Sequence, residues 1–255
     1  MPVEIATVPC RQDNYAYLVR DRATGQTALV DAPAVDPIVA ALEERGWGLD
    51  QIWITHHHGD HTEGVDALRD RYGAKVVGHV KDRARLPALD KEVSEGETVA
   101  LGETVARVID VSGHTVGHIA FVLDADKAAF TADSLMALGC GRVFEGTHAM
   151  MWESLSKFLE MPDEMRIYSG HNYGQANGRF ALSIEPENQD LKDRVARIRQ
   201  ADEKGRPIVP STMAEEKATN PFLRATRPGV KRSVGLDGAD DASTFAEVRR
   251  RKDAF

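Results

Sequence analysis

The stretch Thr55-His56-His57-His58-Gly59-Asp60-His61 constrains this chain more than any other part of it. It follows an apolar run, Gln51-Ile52-Trp53-Ile54-Thr55, that reads as a buried strand. Titratable groups at the end of such a strand need compensation, because a buried polar group without a partner costs about 1–3 kcal/mol. A metal ion supplies it. His56, His58, Asp60 and His61 mix imidazole nitrogen with carboxylate oxygen, which suits zinc, iron or manganese better than calcium with its all-oxygen shell. In an extended loop alternate side chains share a direction, so His56 and His58 converge while His57 turns away. Asp60 and His61 then follow within a tight turn that Gly59 is expected to permit. Four ligands in two orientations exceed what one ion requires and point to two adjacent ions.

Further candidates recur downstream at strand ends. His114 sits in Gly113-His114-Thr115-Val116-Gly117-His118, Asp133 follows Phe130-Thr131-Ala132, and His171 follows Tyr168-Ser169-Gly170. A lone histidine in such a place is ordinarily a hydrogen-bonded core residue, but the whole set is hard to explain that way. His57 and His118 read as supporting or structural groups, and His79 and His148 receive no role. Asp31 is equally suited to orienting a ligand histidine and to capping a turn.

Around these positions the first half alternates short strands with helices. Strands are expected at 27–31, 51–55 and 74–78, and helices at 37–45 and 65–72, stopped by Gly46 and Gly73. Residues 97–111 pattern as paired strands with Val99, Leu101, Val105, Val108, Ile109 and Val111 facing inward. Strands at 119–123 and 128–130 flank the turn Asp124-Ala125-Asp126. An amphipathic helix covers 152–160 before Pro162, and a strand at 166–169 leads to His171. Beyond residue 172 helical patterns dominate, notably 186–203 with Leu191, Val195 and Ile198 on one face. Pro207, Pro210, Pro221 and Pro228 then break the chain into loops. The expected organisation is an α/β domain over residues 1–171 and a small, mostly helical domain over 172–255.

Composition narrows the function classes. The chain has 255 residues, 42% hydrophobic and 28% charged, enough for a sizeable core and unlike a disordered protein. No run approaches the roughly 20 apolar residues of a membrane span, and no basic-then-apolar leader precedes the first strand, so a cytoplasmic protein is expected. A net charge of −8 argues against non-specific nucleic-acid binding. Cys10 and Cys140 are too few for a disulfide framework and read as small buried hydrophobes. The cluster Arg249-Arg250-Arg251-Lys252 is either a solvated helix end or a clamp for an anionic ligand, and composition alone favours the first.

The pattern formed by His56, His58, Asp60 and His61 resembles the His-x-His-x-Asp-His signature of the metallo-β-lactamase superfamily. Within it the chain resembles the glyoxalase II (hydroxyacylglutathione hydrolase) family nearly end to end. The resemblance is carried by Thr55-His56-His57-His58, Gly113-His114-Thr115-Val116-Gly117-His118, Gly139-Cys140-Gly141-Arg142 and Glu145-Gly146-Thr147. It continues in Gly170-His171-Asn172-Tyr173, Val209-Pro210-Ser211-Thr212, Asn220-Pro221-Phe222 and Arg249-Arg250-Arg251-Lys252-Asp253. The first motif marks only the superfamily; the Val-Pro-Ser and terminal motifs belong to the helical domain of the glyoxalase II branch.

That resemblance implies an αββα sandwich with a small, mostly helical C-terminal domain. It implies two divalent metal ions per chain, zinc in first place, with iron or manganese as alternatives. One ion would be held by His56, His58 and His114, the other by Asp60, His61 and His171, with Asp133 bridging. The implied reaction is hydrolysis of S-(2-hydroxyacyl)glutathione thioesters such as S-D-lactoylglutathione by a metal-bound hydroxide, with Asp60 and Asp133 as the catalytic carboxylates. This is the chemistry of methylglyoxal detoxification. The family's glutathione contacts fall on Arg142, Phe144, Tyr173, Arg249 and Lys252, which turns the terminal cluster into a clamp. Three positions depart from the family pattern: Arg142 where lysine is common, Phe144 where tyrosine is often found, and Asn172 where an acid is common. The expected partner is a small glutathione thioester, with no nucleic acid and no membrane, and the protein is expected to be a monomer or weak oligomer. Rivals are a lactonase, a β-lactamase-like hydrolase, a one-iron glutathione-persulfide dioxygenase and a nuclease. The near-complete two-metal set disfavours the dioxygenase, and overall acidity disfavours the nuclease.

Overall fold

The computed structural model describes residues 3–255. Its elements begin with β1 (Glu4–Cys10), β2 (Asn14–Arg20), β3 (Thr27–Val30), α1 (Val35–Arg45), β4 (Gln51–Trp53), α2 (Gly59–Thr62) and α3 (Val65–Tyr72). They continue with β5 (Lys75–His79), β6 (Lys91–Val93), β7 (Thr98–Leu101), β8 (Thr104–Asp110), β9 (Ile119–Leu123) and β10 (Ala128–Ala132). Then come α4 (His148–Leu159), β11 (Arg166–Ser169), α5 (Gly174–Ile184), α6 (Gln189–Glu203) and β12 (Ser211–Thr212). The chain closes with α7 (Met213–Thr219), α8 (Pro228–Ser233) and α9 (Asp241–Asp253). Two compact units result. The first takes in the chain up to Asp110 and Val116–Thr131, the second Val111–Thr115 and Ala132–Phe255.

In the first unit β1 to β6 form one sheet in sequence order. β1, β2 and β3 pair antiparallel, whereas β3–β4, β4–β5 and β5–β6 are parallel. Parallel neighbours need a crossover, and α1 and α3 occupy two of the three. These helices bury Ile38, Val39 and Leu42, and Val65 and Leu68, with Leu18, Leu29, Ile52 and Val76 of the sheet. Strands β7 to β10 form an antiparallel run in the order β10-β9-β8-β7. The two sheets meet where Trp53 stacks on Phe121 at 5.2 Å and Tyr17 packs beside Phe130 at 5.5 Å. The helix layer, sheet and second sheet of the unit therefore follow from strands that are apolar on both faces.

One inward assignment fails. Val105 is 54% exposed. The turn at Gly102 and Glu103 sets Leu101 opposite Thr104, so Val105 pairs with exposed Ala100 and Ala106 takes the buried place beside Val99. Strand β2 escapes the sequence pattern for the opposite reason: six of its seven residues are buried, so no polar alternation marks it. Helix α4 starts earlier than its apolar spacing suggests because the Thr147 hydroxyl accepts from Met150 N at 3.1 Å.

In the second unit β11 and β12 pair antiparallel. Among the helices, Trp152, Phe245, Phe222 and Phe180 form a chain of ring contacts at 5.8, 6.0 and 5.9 Å. Helices α5 and α6 approach so closely that a Cβ on Gly178 would lie 2.8 Å from Val195. Asn188 caps α6, which moves its start to Gln189, and Thr212 caps α7 in a reciprocal box with Glu215. Among the described residues no helix is long and apolar enough to cross a membrane.

Phe121→Ala removes the ring that stacks on Trp53 in a dry interior. It is expected to cost about 3–5 kcal/mol, read as a lower urea midpoint at unchanged m-value.

Candidate metal centre

The first unit sets its ligands by hydrogen bonds made behind them. Asp31, just past β3, adopts a left-handed φ of 57°. Its carboxylate accepts from Thr55 N at 2.9 Å, from the Thr55 hydroxyl at 2.8 Å and from His61 Nδ1 at 2.8 Å. Orientation of a histidine is therefore the role Asp31 takes. A carboxylate only accepts, so His61 carries its proton on Nδ1 and presents a bare Nε2 lone pair. The single Thr55 hydroxyl proton goes to Asp31. The Thr55 oxygen must then accept from His56 Nδ1, 3.0 Å away, which leaves Nε2 of His56 bare as well. That nitrogen lies 3.1 Å from His58 Nδ1.

His58 caps α2, a single helical turn in which His61 N donates to His58 O at 2.9 Å. The expected tight turn is thus helical, and Gly59 is not its cause. Its φ is not left-handed, and a Cβ there would meet nothing within 4 Å. Asp60 lies with Oδ2 3.6 Å from His61 Nε2 and accepts from Asn14 Nδ2 at 3.0 Å. Asn14, at the start of β2, carried no sequence signal for this role. His57 points to Asp82, with Nδ1 3.2 Å from a carboxylate oxygen. His118 stacks on His56 at 4.6 Å and 10°, and His79 Nδ1 donates to Gly117 O at 3.0 Å. All three are supporting groups.

The second unit repeats the device. His114 Nδ1 donates to Arg142 O at 2.7 Å, so its Nε2 is bare and lies 3.4 Å from Asp133 Oδ2. His171 Nε2 lies 3.3 Å from the same oxygen. Gly141 N donates to Asp133 O at 2.8 Å. A Cβ on Gly141 would strike that carbonyl and come within 2.7 Å of His114 Nδ1, so only glycine fits. Gly113, with φ 147°, is similarly required, because a Cβ there would lie 2.6 Å from Met151 Sδ.

Within the first unit His56 Nε2 lies 3.1 Å from His58 Nδ1 and Asp60 Oδ2 lies 3.6 Å from His61 Nε2; within the second, Asp133 Oδ2 lies within 3.4 Å of both His114 Nε2 and His171 Nε2. Bare lone pairs and carboxylates at such spacing repel unless a cation joins them. The nitrogen and oxygen donors fit a borderline divalent ion, and the far nitrogens of His56, His61 and His114 are each held by a hydrogen bond.

The remaining candidates divide into exposed and buried sets. Phe144 is 61% exposed, its ring edge-on to His114 at 5.3 Å. Tyr173, also exposed, stacks on His171 at 4.7 Å and 7°. The exposed Arg142 lies 3.3 Å from Asp253. Arg249, by contrast, is buried: it donates to Cys140 O at 2.9 Å and Asp253 at 2.8 Å and covers the Phe222 ring. Lys252 donates to Ala176 O at 3.3 Å and sits over Phe180 and Phe255. Burial lowers its pKa, and Arg249 and Arg179 lower it further. Arg250 and Arg251 are both engaged by Glu247. Asn172 donates to Asp202 Oδ1 at 2.8 Å, and Gln175 donates to the other oxygen at 2.9 Å.

Comparison with known proteins gives consistent results. The family model described as metallo-beta-lactamase superfamily matches residues 12–171, and that described as hydroxyacylglutathione hydrolase C-terminus matches residues 172–255. The chain is 59% identical to a hydroxyacylglutathione hydrolase of Ruegeria pomeroyi over 255 residues, covering all of both chains. A protein of the same name from Cereibacter sphaeroides is 55% identical over the same full extent. Among solved structures, ETHE1 from Myxococcus xanthus aligns with TM-score 0.66 at 26% identity, covering 100% of this chain and 99% of that one. The BLEG-1 B3 metallo-beta-lactamase shares the fold, with TM-score 0.67 at 19% identity over 86% of this chain and 99% of that one.

Burial pushes the Cys10 thiol up to about 12 and the Cys140 thiol up to about 11, from an ordinary 9.0. A disulfide reagent at pH 8 is expected to label neither until the protein unfolds. The folded thiols hold protons that the unfolded ones release, so urea midpoints should fall as pH rises from about 9 towards 11.

Proposed function

Because the chain belongs to the hydroxyacylglutathione hydrolase family, it is a thioester hydrolase acting on hydroxyacylglutathione, and we propose that the reaction runs at a dinuclear metal centre. We assign His56, His58 and His114 to one ion, Asp60, His61 and His171 to the other, and Asp133 to both. The observation that carries this reading is the hydrogen bond at Nδ1 of His56, His61 and His114, which makes Nε2 of each the electron-pair donor. Divalent ions held by these residues would supply Lewis-acid chemistry, lowering the pKa of water to about 7 and polarising a carbonyl.

The residues of the chain do the rest. Asp31, Thr55 and the Arg142 carbonyl keep the imidazoles neutral and aimed. Asn14 holds the Asp60 carboxylate. Phe144 and Tyr173 flank the two histidines next to Asp133 and offer an apolar edge and a hydroxyl to the acyl and thiol portions. Glutathione carries two carboxylates. Lys252, with no ion pair among the described residues and two arginines nearby, is the cation best suited to one of them, and the exposed Arg142 to the other. Arg249 serves this clamp by holding Cys140 O and Asp253 in place rather than by reaching the ligand. The leaving thiolate needs no dedicated acid, since thiols ionise near pKa 8.5.

We further propose zinc as the first occupant, with iron or manganese accepted by the same donors. We also propose a functional division at residue 172, a reading supported by family models that match residues 12–171 and 172–255. We propose that it works in the cytoplasm as a monomer or weak oligomer, without nucleic-acid or membrane partners.

Zinc-loaded protein is expected to release thiol from S-D-lactoylglutathione, to lose this activity on chelation and to regain it with zinc. Lys252→Ala should raise KM about 10-fold or more at nearly constant kcat, as expected for a lost charge-assisted contact. Arg249→Ala should instead lower the thermal midpoint. No thiol release from a protein holding two ions would reject this substrate.

A further inference from the structure

Between Asp133 and Arg142 the chain makes a buried loop that is held almost entirely by side chains of the helices. Met136 and Gly139 exchange two backbone hydrogen bonds at 3.0 Å, and Leu138 between them adopts a left-handed φ of 58°. A non-glycine residue in that region is strained and persists only where its surroundings fix it. Here the fixing group is Glu216 of α7, which is fully buried. Its Oε2 accepts from Leu138 N at 3.1 Å and from Asn220 Nδ2 at 3.0 Å. Its Oε1 accepts from the Ser211 hydroxyl at 2.6 Å and from Arg194 of α6, itself 3% exposed. Asn220 also donates to Met136 O at 3.2 Å and Gly139 O at 2.9 Å, and Asn177 donates to Ala137 O at 3.1 Å.

Both ends of this loop touch the candidate ligands. Its first residue follows Asp133, and its last ones return through Gly141 N to the Asp133 carbonyl. Arg142, the next residue, supplies the carbonyl that sets the His114 proton. We propose that Glu216, with Arg194 and Asn220, is a positioning residue for the metal centre: it fixes Asp133 and the His114 tautomer by clamping the 134–141 loop. This rests on the metal-centre reading above and gives the buried Arg194–Glu216 pair a purpose besides stability. Every partner of the carboxylate donates, or, for Ser211, is free to donate. A glutamine at this place must therefore turn its amide hydrogens towards two donors, either Arg194 and Ser211 or Leu138 N and Asn220.

The test is metal retention by folded protein, with zinc as the probe and a chromophoric chelator as competitor. Glu216→Gln and Asn177→Ala are compared with the parent at a temperature well below each thermal midpoint. Asn177→Ala removes only the bond to Ala137 O, so it decides the matter if Glu216→Gln fails to fold. The expected result is zinc affinity lowered about 10- to 100-fold in Glu216→Gln and more mildly in Asn177→Ala, with kcat reduced and KM little changed. A lower thermal midpoint with parental zinc affinity in the folded variants would overturn the proposal and leave Glu216 a purely stabilising residue. Failure of the parent itself to hold two ions would overturn the metal-centre reading, and this inference with it.

Discussion

Each candidate ligand histidine whose second partner is visible is committed to one protonation state by a single hydrogen bond at its far nitrogen. The surrounding structure is organised to supply those bonds: a threonine oxygen for His56, a carboxylate for His61 and a main-chain carbonyl for His114. An imidazole free to choose its tautomer would present a hydrogen to a cation half the time and could rotate away from it. With the far nitrogen tied, the near one is a fixed electron-pair donor. Neutral ligands of this kind bring nitrogen donors together without adding charge, so the repulsion among them is modest.

This bears on three of the five places where a non-glycine residue has a left-handed φ; the other two, Arg11 and Lys127, lie in hairpin turns. Asp31, Ala132 and Leu138 all have left-handed φ angles without being glycine. Each lies at the end of a strand or in the loop just beyond one, next to a candidate ligand or the group that orients it. Such conformations cost about 1–3 kcal/mol each and survive only where neighbouring contacts over-determine them. The long buried strands supply that rigidity on one side. On the other, a network of buried polar side chains does the same work for a loop that belongs to no strand or helix.

Much of this was legible in the sequence, because two of its signals are local. Helical spacing ended by Gly46 and Gly73 gave α1 and α3, since a left-handed residue after a helix is nearly a glycine monopoly. The ligand candidates were legible because polar groups at apolar strand ends need a reason to be there. What was not legible depends on pairing across the chain. Val105 was misplaced because hairpin register, and not hydrophobicity, decides which face a residue occupies. Asn14, Arg194 and Glu216 gave no sign because their partners are 22 to 78 residues away in sequence. The terminal basic residues looked alike as letters, yet Arg249 is buried under its own bonds while Lys252 lies over Phe180 and Phe255 and donates only to Ala176 O among the described residues.

The contact between Asn172 and Asp202 carries a lesson about reading divergence. The residue after the last histidine is commonly acidic in this family, and here it is an amide that donates to a carboxylate on α6. An acid at 172 would set two negative groups against each other unless Asp202 changed too. The side chain at 172 is thereby tied to a carboxylate 30 residues downstream, and its departure from the family pattern has a structural partner inside the helical part of the chain.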